Sequence, residues 1–339
     1  MRIKLLIATG DVTYAGLISE YISQHHSDTM EISVCNTSQC LGEILAARKY
    51  DVALMDATLI KGADTEAIHL PMLLWTEHET VDVSDEFKKV QKYRRISSIV
   101  ADVLEQYAKV SGNRCPSGSG TANITAIWSP TGGAGKTTVA LAYAASCALE
   151  GKEVFYLNLE SFSSIPVYFS ERGKSISTVF EMLDSGEGNV KMLLQGIRCI
   201  ESGITYLCSP DNFDDICILS AENIIELVTS CAEITDELVI DLSCACDVRT
   251  RQVFELANNV LLVTEPTTSA QVKLSQFASQ NNVFESIEEK TTLIANKGAV
   301  IDEPITNSLI SLPFVQSNDS TGIFKALSEI SLKREVAYD

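Results

Sequence analysis

Ten residues near the middle of the chain, Ser129–Thr138 (SPTGGAGKTT), constrain the fold more than any other feature. They follow the branched apolar run Ile124–Trp128 and lead into Thr137–Leu149, where apolar residues recur at helical spacing. Gly132, Gly133 and Gly135 let the backbone curl so that successive N–H groups around Ala134 face one point. The helix N-terminus just beyond adds partial positive charge. Lys136 adds a full charge, and the hydroxyls of Thr137 and Thr138 follow, the first suited to Mg²⁺ as a hard oxygen ligand. A strand, a glycine-rich turn carrying this lysine, and a helix read as a phosphate-binding loop. A plain turn before a helix would not need the Gly-Lys-Thr-Thr sequence.

The rest of the chain repeats the strand–helix rhythm that surrounds this loop. Upstream, Ile3–Ala8, Glu31–Cys35, Tyr50–Met55 and Met72–Thr76 read as strands, with a brief fifth starting at Val90. Helical spacing appears around Ala15–Ile22, at Leu41–Arg48 and at Ile96–Ala108. Downstream, Val154–Leu159, Ile204–Cys208, Glu237–Leu242, Val260–Thr264 and Thr292–Ala295 read as strands, with helices at Ile216–Cys231 and Ala270–Gln280. Such alternation implies parallel sheets covered by helices. Between the halves Ser111–Gly120 (SGNRCPSGSG) is polar and rich in Gly and Ser, as a linker is. The expected organisation is two doubly wound α/β domains, residues 1–110 and 122–339, joined by 111–121.

Composition removes several classes. The chain carries 26 basic and 45 acidic side chains, a formal net charge of −19. Residues 1–110 contribute −5 and the remainder −14, so the phosphate attraction behind most nucleic-acid binding is missing and no nucleic-acid partner is expected. The run Lys88–Arg95 could form a local basic patch, though such runs are more often a solvated helix face. Nowhere do ~18 apolar residues run together, so no transmembrane segment is expected, and the apolar start stops at Asp11, short of a signal peptide. The protein should stay in the cytoplasm. Its ten cysteines should then be thiols, with Cys244-Ala-Cys246 a weak metal signal that reads better as buried small side chains.

The phosphate loop resembles the deviant form, Lys-Gly-Gly-x-Gly-Lys-Ser/Thr, of the MinD/ParA family of cytoskeletal and partitioning ATPases. Gly132 to Thr137 match; Thr131 stands where that family has its signature lysine, which reaches the partner's nucleotide across a dimer. The resemblance implies a homodimer that binds ATP with Mg²⁺. A hydroxyl cannot neutralise developing phosphate charge as an ammonium can, so weak ATP hydrolysis at most is implied. It also implies that Glu160, in Asn158-Leu159-Glu160, orients water or hydrated Mg²⁺, and that Asp241, closing Leu238–Asp241, joins Thr137 at the metal. Lys136, Glu160 and Asp241 are the catalytic candidates. Asn296, in Leu293–Lys297, would read the adenine edge, and Pro313, in Leu312-Pro313, would pack on its ring. Polar residues at strand ends and turns are the plainer alternative for Asn158, Glu160 and Asn296.

Residues 1–108 resemble a response-regulator receiver. Asp56 closes the third strand, where a receiver carries its phosphorylated aspartate, with Thr76 and Lys92 at the hydroxyl and lysine positions. Thr9-Gly10 replace the acidic pair that would hold Mg²⁺, and Asp11 lies one residue late, so a non-phosphorylated pseudo-receiver is the expectation. A pseudo-receiver, a Gly/Ser linker and a deviant phosphate-loop ATPase in this order resemble the TadZ/CpaE pilus-assembly proteins. That implies a factor placed at a cell pole that works with the secretion machine of a tight-adherence (Flp-type) pilus. Two other functions stay open, a ParA-like partitioning ATPase and a signalling ATPase controlled by Asp56. The tail Gly322–Asp339 carries Phe324, Leu327 and Ile330 on one helical face without a basic opposite face, which favours packing on its own domain and leaves peripheral membrane contact open.

Overall fold

A computed structural model describes residues 2–61, 63–76, 87–111, 122–170, 173–301, 304–317 and 319–330. The chain divides into two compact units, Met1–Asn113 with Gln195–Ile197, and Arg114–Leu194 with Arg198–Asp339. Past Ser111, the expected linker lies outside the described residues.

The first unit is built on strands β1 (Ile3–Ala8), β2 (Met30–Cys35), β3 (Tyr50–Asp56), β4 (Ile68–Trp75) and β5 (Lys88–Gln91). All pair in parallel in the order β2-β1-β3-β4-β5, the order of flavodoxin-like doubly wound sheets. Six of the seven residues of β3 are buried, because a central parallel strand is covered on both faces. Helices Val12–His25, Ser38–Ala47 and Ile96–Val110 flank the sheet. Asp11 and Thr37 cap the first two by accepting the N–H groups of Tyr14 and Cys40.

The second unit holds β6 (Asn123–Trp128), β7 (Val154–Leu159), β8 (Cys199–Glu201), β9 (Ile204–Tyr206), β10 (Glu237–Leu242), β11 (Asn259–Thr264), β12 (Thr291–Ala295) and β13 (Leu309–Ser311). Their order is β13-β12-β11-β6-β10-β7-β9-β8, and only the edge pair β8–β9 is antiparallel. Every residue of β7 and of β10 is buried, which explains their continuous apolar spelling. The helix Lys136–Leu149 packs on β6, β7 and β10 with an alanine-rich face that allows close approach, and Gly151, at φ +84°, turns the chain away beyond it. Leu327 of the helix Ser320–Ser328 enters the same core, with Ile323, Phe324 and Ile330 against it. Residues 331–339 of the expected tail helix lie outside the described residues.

The α/β architecture with parallel sheets is as the alternation predicts, and several local expectations differ. The span Ile216–Cys231 is not one helix: a short 3₁₀ turn, Asp215–Ile218, precedes the helix Ala221–Ala232, which Ser220 and Asn223 open with a capping box. Helices Ser177–Ser185, Val190–Ile197 and Val248–Leu256, and the short strands β8 and β13, were not legible in the alternation. Lys88–Arg95 is no helix face; it forms β5 and a turn, with Lys92 buried. Cys244 and Cys246 are exposed rather than buried, since the loop after β10 runs over the surface. Among the described residues no group of His, Cys, Asp or Glu is arranged to hold a metal by itself, and no helix is long and apolar enough to cross a membrane.

Candidate functional site

The chemistry-bearing residues of the second unit gather at the carboxyl ends of its parallel strands, where open α/β sheets place ligands. The loop Ser129–Gly135 leaves β6, and Gly133 and Gly135 take left-handed φ values of +78° and +93°. Gly135 is doubly constrained: a Cβ there would also collide with the Asn296 amide, so only glycine fits. The Ser129 hydroxyl accepts the Thr131 N–H at 3.1 Å, and Thr131 is buried. Lys136 opens the helix and is buried, its Nζ 3.2 Å from Glu160 Oε1. Thr137 donates its hydroxyl to Glu160 Oε2 at 3.3 Å, and the Thr138 hydroxyl lies 3.4 Å from that of Tyr168.

Asp241, one residue before the end of β10, is fully buried. Its Oδ2 accepts the Tyr156 hydroxyl at 2.9 Å and the Asn158 amide at 3.2 Å. Its Oδ1 is buried without a hydrogen-bond partner among the described residues. Burial, and then the neighbouring Glu160 carboxylate, push Asp241 up to about 7, partly opposed by Thr137 and Lys136. Asn158 also lends its Oδ1 to the Glu160 N–H at 3.1 Å, so it sets the geometry of both carboxylates. An orphaned buried carboxylate oxygen, a hydroxyl and a second carboxylate are the donor set a hard divalent cation takes. The residues present therefore fit Mg²⁺, and the glycine loop with Lys136 fits a polyphosphate.

Asn296 follows β12 and is turned toward the loop: its amide donates to the Ala134 carbonyl at 2.9 Å, while its Oδ1 accepts the Lys297 N–H at 2.8 Å. Both ends of its side chain are thus engaged within the protein. Pro313 is exposed just past β13, where the preceding Leu312 accepts the Gly298 N–H. Sequence reasoning gave Tyr156 and Lys297 no role. Tyr156 was hidden because it reads as one more buried strand residue; the Lys297 ammonium lies 2.6 Å from the Gly133 carbonyl.

The first unit also ends a central strand in a carboxylate. Asp56 Oδ1 lies 2.5 Å from Lys92 Nζ, and its Oδ2 accepts the Thr9 hydroxyl at 2.8 Å and the Gly10 N–H at 3.0 Å. Asp11 points elsewhere, capping Tyr14 and accepting the Tyr93 hydroxyl at 3.1 Å. Thr76 lies one residue past β4.

No family model matches the sequence, and no curated protein sequence matches it. Solved structures do match. A ParA family ATPase from Chlorobium tepidum aligns with a TM-score of 0.50 at 17% identity, covering 61% of this chain and 90% of that one. Over that aligned part the chain shares the fold of that ATPase. The cell division ATPase MinD from Pyrococcus furiosus aligns with a TM-score of 0.48 at 15% identity, over 61% of this chain and 97% of that one. A plasmid partition protein from Borrelia burgdorferi aligns at 0.47 and 16%, over 62% and 97%.

Proposed function

We propose that this chain is an ATP-binding protein of the MinD/ParA type that hydrolyses ATP slowly at most. We assign it as a localisation and assembly factor for a tight-adherence pilus secretion machine, in the manner of the TadZ/CpaE proteins. The observation that carries the nucleotide reading is the convergence of Lys136, Thr137, Glu160 and the orphaned Asp241 Oδ1 beside the glycine loop. The N–H groups from Gly132 to Lys136 and the Lys136 ammonium hold the phosphates, with Thr138 behind them. Thr137 and Asp241 hold Mg²⁺, which when bound neutralises phosphate charge. Glu160 orients water once it is released from Lys136 and Thr137. Asn296 and Pro313 lie at the turns beyond β12 and β13, where they bound the base. Thr131 brings no charge to a partner's nucleotide, which is the physical ground for slow turnover in the homodimer.

The assembly reading rests on order along the chain: residues 1–110 as pseudo-receiver, 111–121 as linker and 122–339 as ATPase. The 2-1-3-4-5 sheet with Asp56 and Lys92 at its carboxyl edge supports the first term. With Thr9 and Gly10 in place of acidic ligands, the first unit acts by contact, and Asp56 is not a phosphoacceptor. The factor works in the cytoplasm at a cell pole with the pilus machine proteins. A partitioning role is the second reading, favoured by the fold shared with a ParA family ATPase and opposed by the acidic charge.

Calorimetry with ATP and Mg²⁺ tests the first part, and absence of binding sinks it. For the second, a fluorescent fusion should lose its polar focus when residues 1–108 are deleted, while ATP binding persists. Retention of DNA at physiological salt, with no capture of pilus-machine components, would turn the assignment to partitioning.

A further inference from the structure

Asn296 and Lys297, adjacent at the exit of β12, each hold one of two consecutive carbonyls of the phosphate loop. The Asn296 amide donates to Ala134 O at 2.9 Å, and Lys297 Nζ donates to Gly133 O at 2.6 Å. No peptide among the described residues is cis, so each carbonyl is antiparallel to the N–H of the same peptide unit. Fixing the carbonyls of Gly133 and Ala134 on one side of the loop therefore fixes the N–H groups of Ala134 and Gly135 on the other. Those are the groups a phosphate cradle needs.

The lysine is itself held. Its Nζ lies 2.7 Å from Glu265 Oε2, just past β11, so the ammonium spans from one strand exit to the loop. Its backbone sits at φ +55°, a left-handed conformation that disfavours a non-glycine residue. The Lys297 N–H donates to Asn296 Oδ1 at 2.8 Å, which ties the Asn296 side chain to the Lys297 backbone. A glycine loop has little stiffness of its own, because left-handed and right-handed φ are both open to Gly133 and Gly135. Its order must come from outside.

We propose that Lys297, tethered by Glu265, is a positioning residue of the nucleotide site: with Asn296 it clamps the phosphate loop in its cradle form. This rests on the nucleotide-binding reading above. Lys297 does not need to touch the phosphates; it acts through the loop. It therefore supports binding of ATP and of ADP alike, since both present the phosphates the loop cradles.

The test uses the full chain with Lys297→Met, which keeps the aliphatic stem, and with Lys297→Arg and Glu265→Gln. Calorimetry with ATP and with ADP should show both affinities about tenfold lower in Lys297→Met, or ~1.4 kcal/mol. Lys297→Arg should recover most of the loss, and Glu265→Gln should lose less than Lys297→Met. In the nucleotide-free protein, amide hydrogen exchange over residues 131–138 should quicken in Lys297→Met while β6 and β10 keep their protection, a pattern that general destabilisation would not produce. Wild-type affinity together with unchanged loop exchange in Lys297→Met overturns the proposal and leaves nucleotide binding standing. A wild-type chain that binds neither nucleotide overturns both.

Discussion

Each unit carries an aspartate at or next to the end of a buried central strand, and the two carboxylates are treated in opposite ways. In the first unit Asp56 is closed: Lys92 neutralises one oxygen, and the Thr9 hydroxyl and Gly10 N–H occupy the other. In the second, Asp241 has one oxygen held by Tyr156 and Asn158 and the other buried without a partner. A carboxylate whose charge is already balanced has little to gain from a cation, while a buried one with a bare oxygen is destabilised until something arrives. Aspartates near the carboxyl ends of strands in two parallel sheets thus give an internal ion pair in one unit and a buried carboxylate oxygen without a hydrogen-bond partner in the other.

Removing the internal cation should produce the largest effect. Lys92→Met leaves Asp56 charged and almost wholly buried, which should destabilise the first unit by about 3–5 kcal/mol, seen as faster amide exchange across β3. If stability is unchanged, Asp56 is not held by its lysine in the way described. In the intact protein, acetyl phosphate with millimolar Mg²⁺ should leave Asp56 unmodified by mass; a phosphoryl adduct would erase the contrast.

Next comes Lys136→Ala, which takes the full positive charge out of the loop and should weaken ATP binding at least ~100-fold, about 2.7 kcal/mol. Titration calorimetry reads this, and an unchanged affinity would remove the phosphate loop from the account.

A smaller effect depends on pH. The folded-state pKa of Asp241 is raised to about 7. Its charged form is therefore penalised in the folded protein, and stability without nucleotide should fall as pH rises from about 4 to about 7. Asp241→Asn should raise the melting temperature at pH 8, by about 2–4 °C for each kcal/mol relieved in a domain of this size, and raise it clearly less at pH 5, where most of the penalty has not yet developed. Equal shifts at both pH values would show that burial does not govern this carboxylate.

Smallest is Thr131→Lys. It should raise ATP turnover severalfold in the proposed homodimer, measured by phosphate release, since it supplies a charge where Thr131 offers only a hydroxyl. A wild-type turnover already near ~10 s⁻¹, an ordinary enzyme value, would mean another residue supplies that charge.

Much of the second site was legible because strand–turn–helix units in a parallel sheet all send their carboxyl ends to one edge. Lys136, Glu160 and Asp241 come from separate stretches of sequence: Lys136 was named from the glycine-rich turn, and Glu160 and Asp241, each closing an apolar run, from the family resemblance. What holds them was not legible. Asn158 and Tyr156 reach Asp241 across the β7–β10 pairing, in which Asn158 lies opposite Asp241. The bond that the Asn296 amide donates to the loop was not legible either. Lys92 stood out from its basic run only through the receiver resemblance, and its ion pair with Asp56 was not visible until β5 was paired with β4.

Composition and periodicity, acting through local backbone preference and burial, were enough for the α/β class, the parallel sheets and the phosphate loop with its glycines. Those features repeat along the chain and are encoded within a few residues of each other. Partnership between side chains is different, because it depends on strand order and register, and neighbours in the sheet are distant in sequence. Only the assembled sheets decided that Lys92 closes Asp56, that Asp241 keeps a bare oxygen, and that Lys297 grips the loop that Lys136 ends.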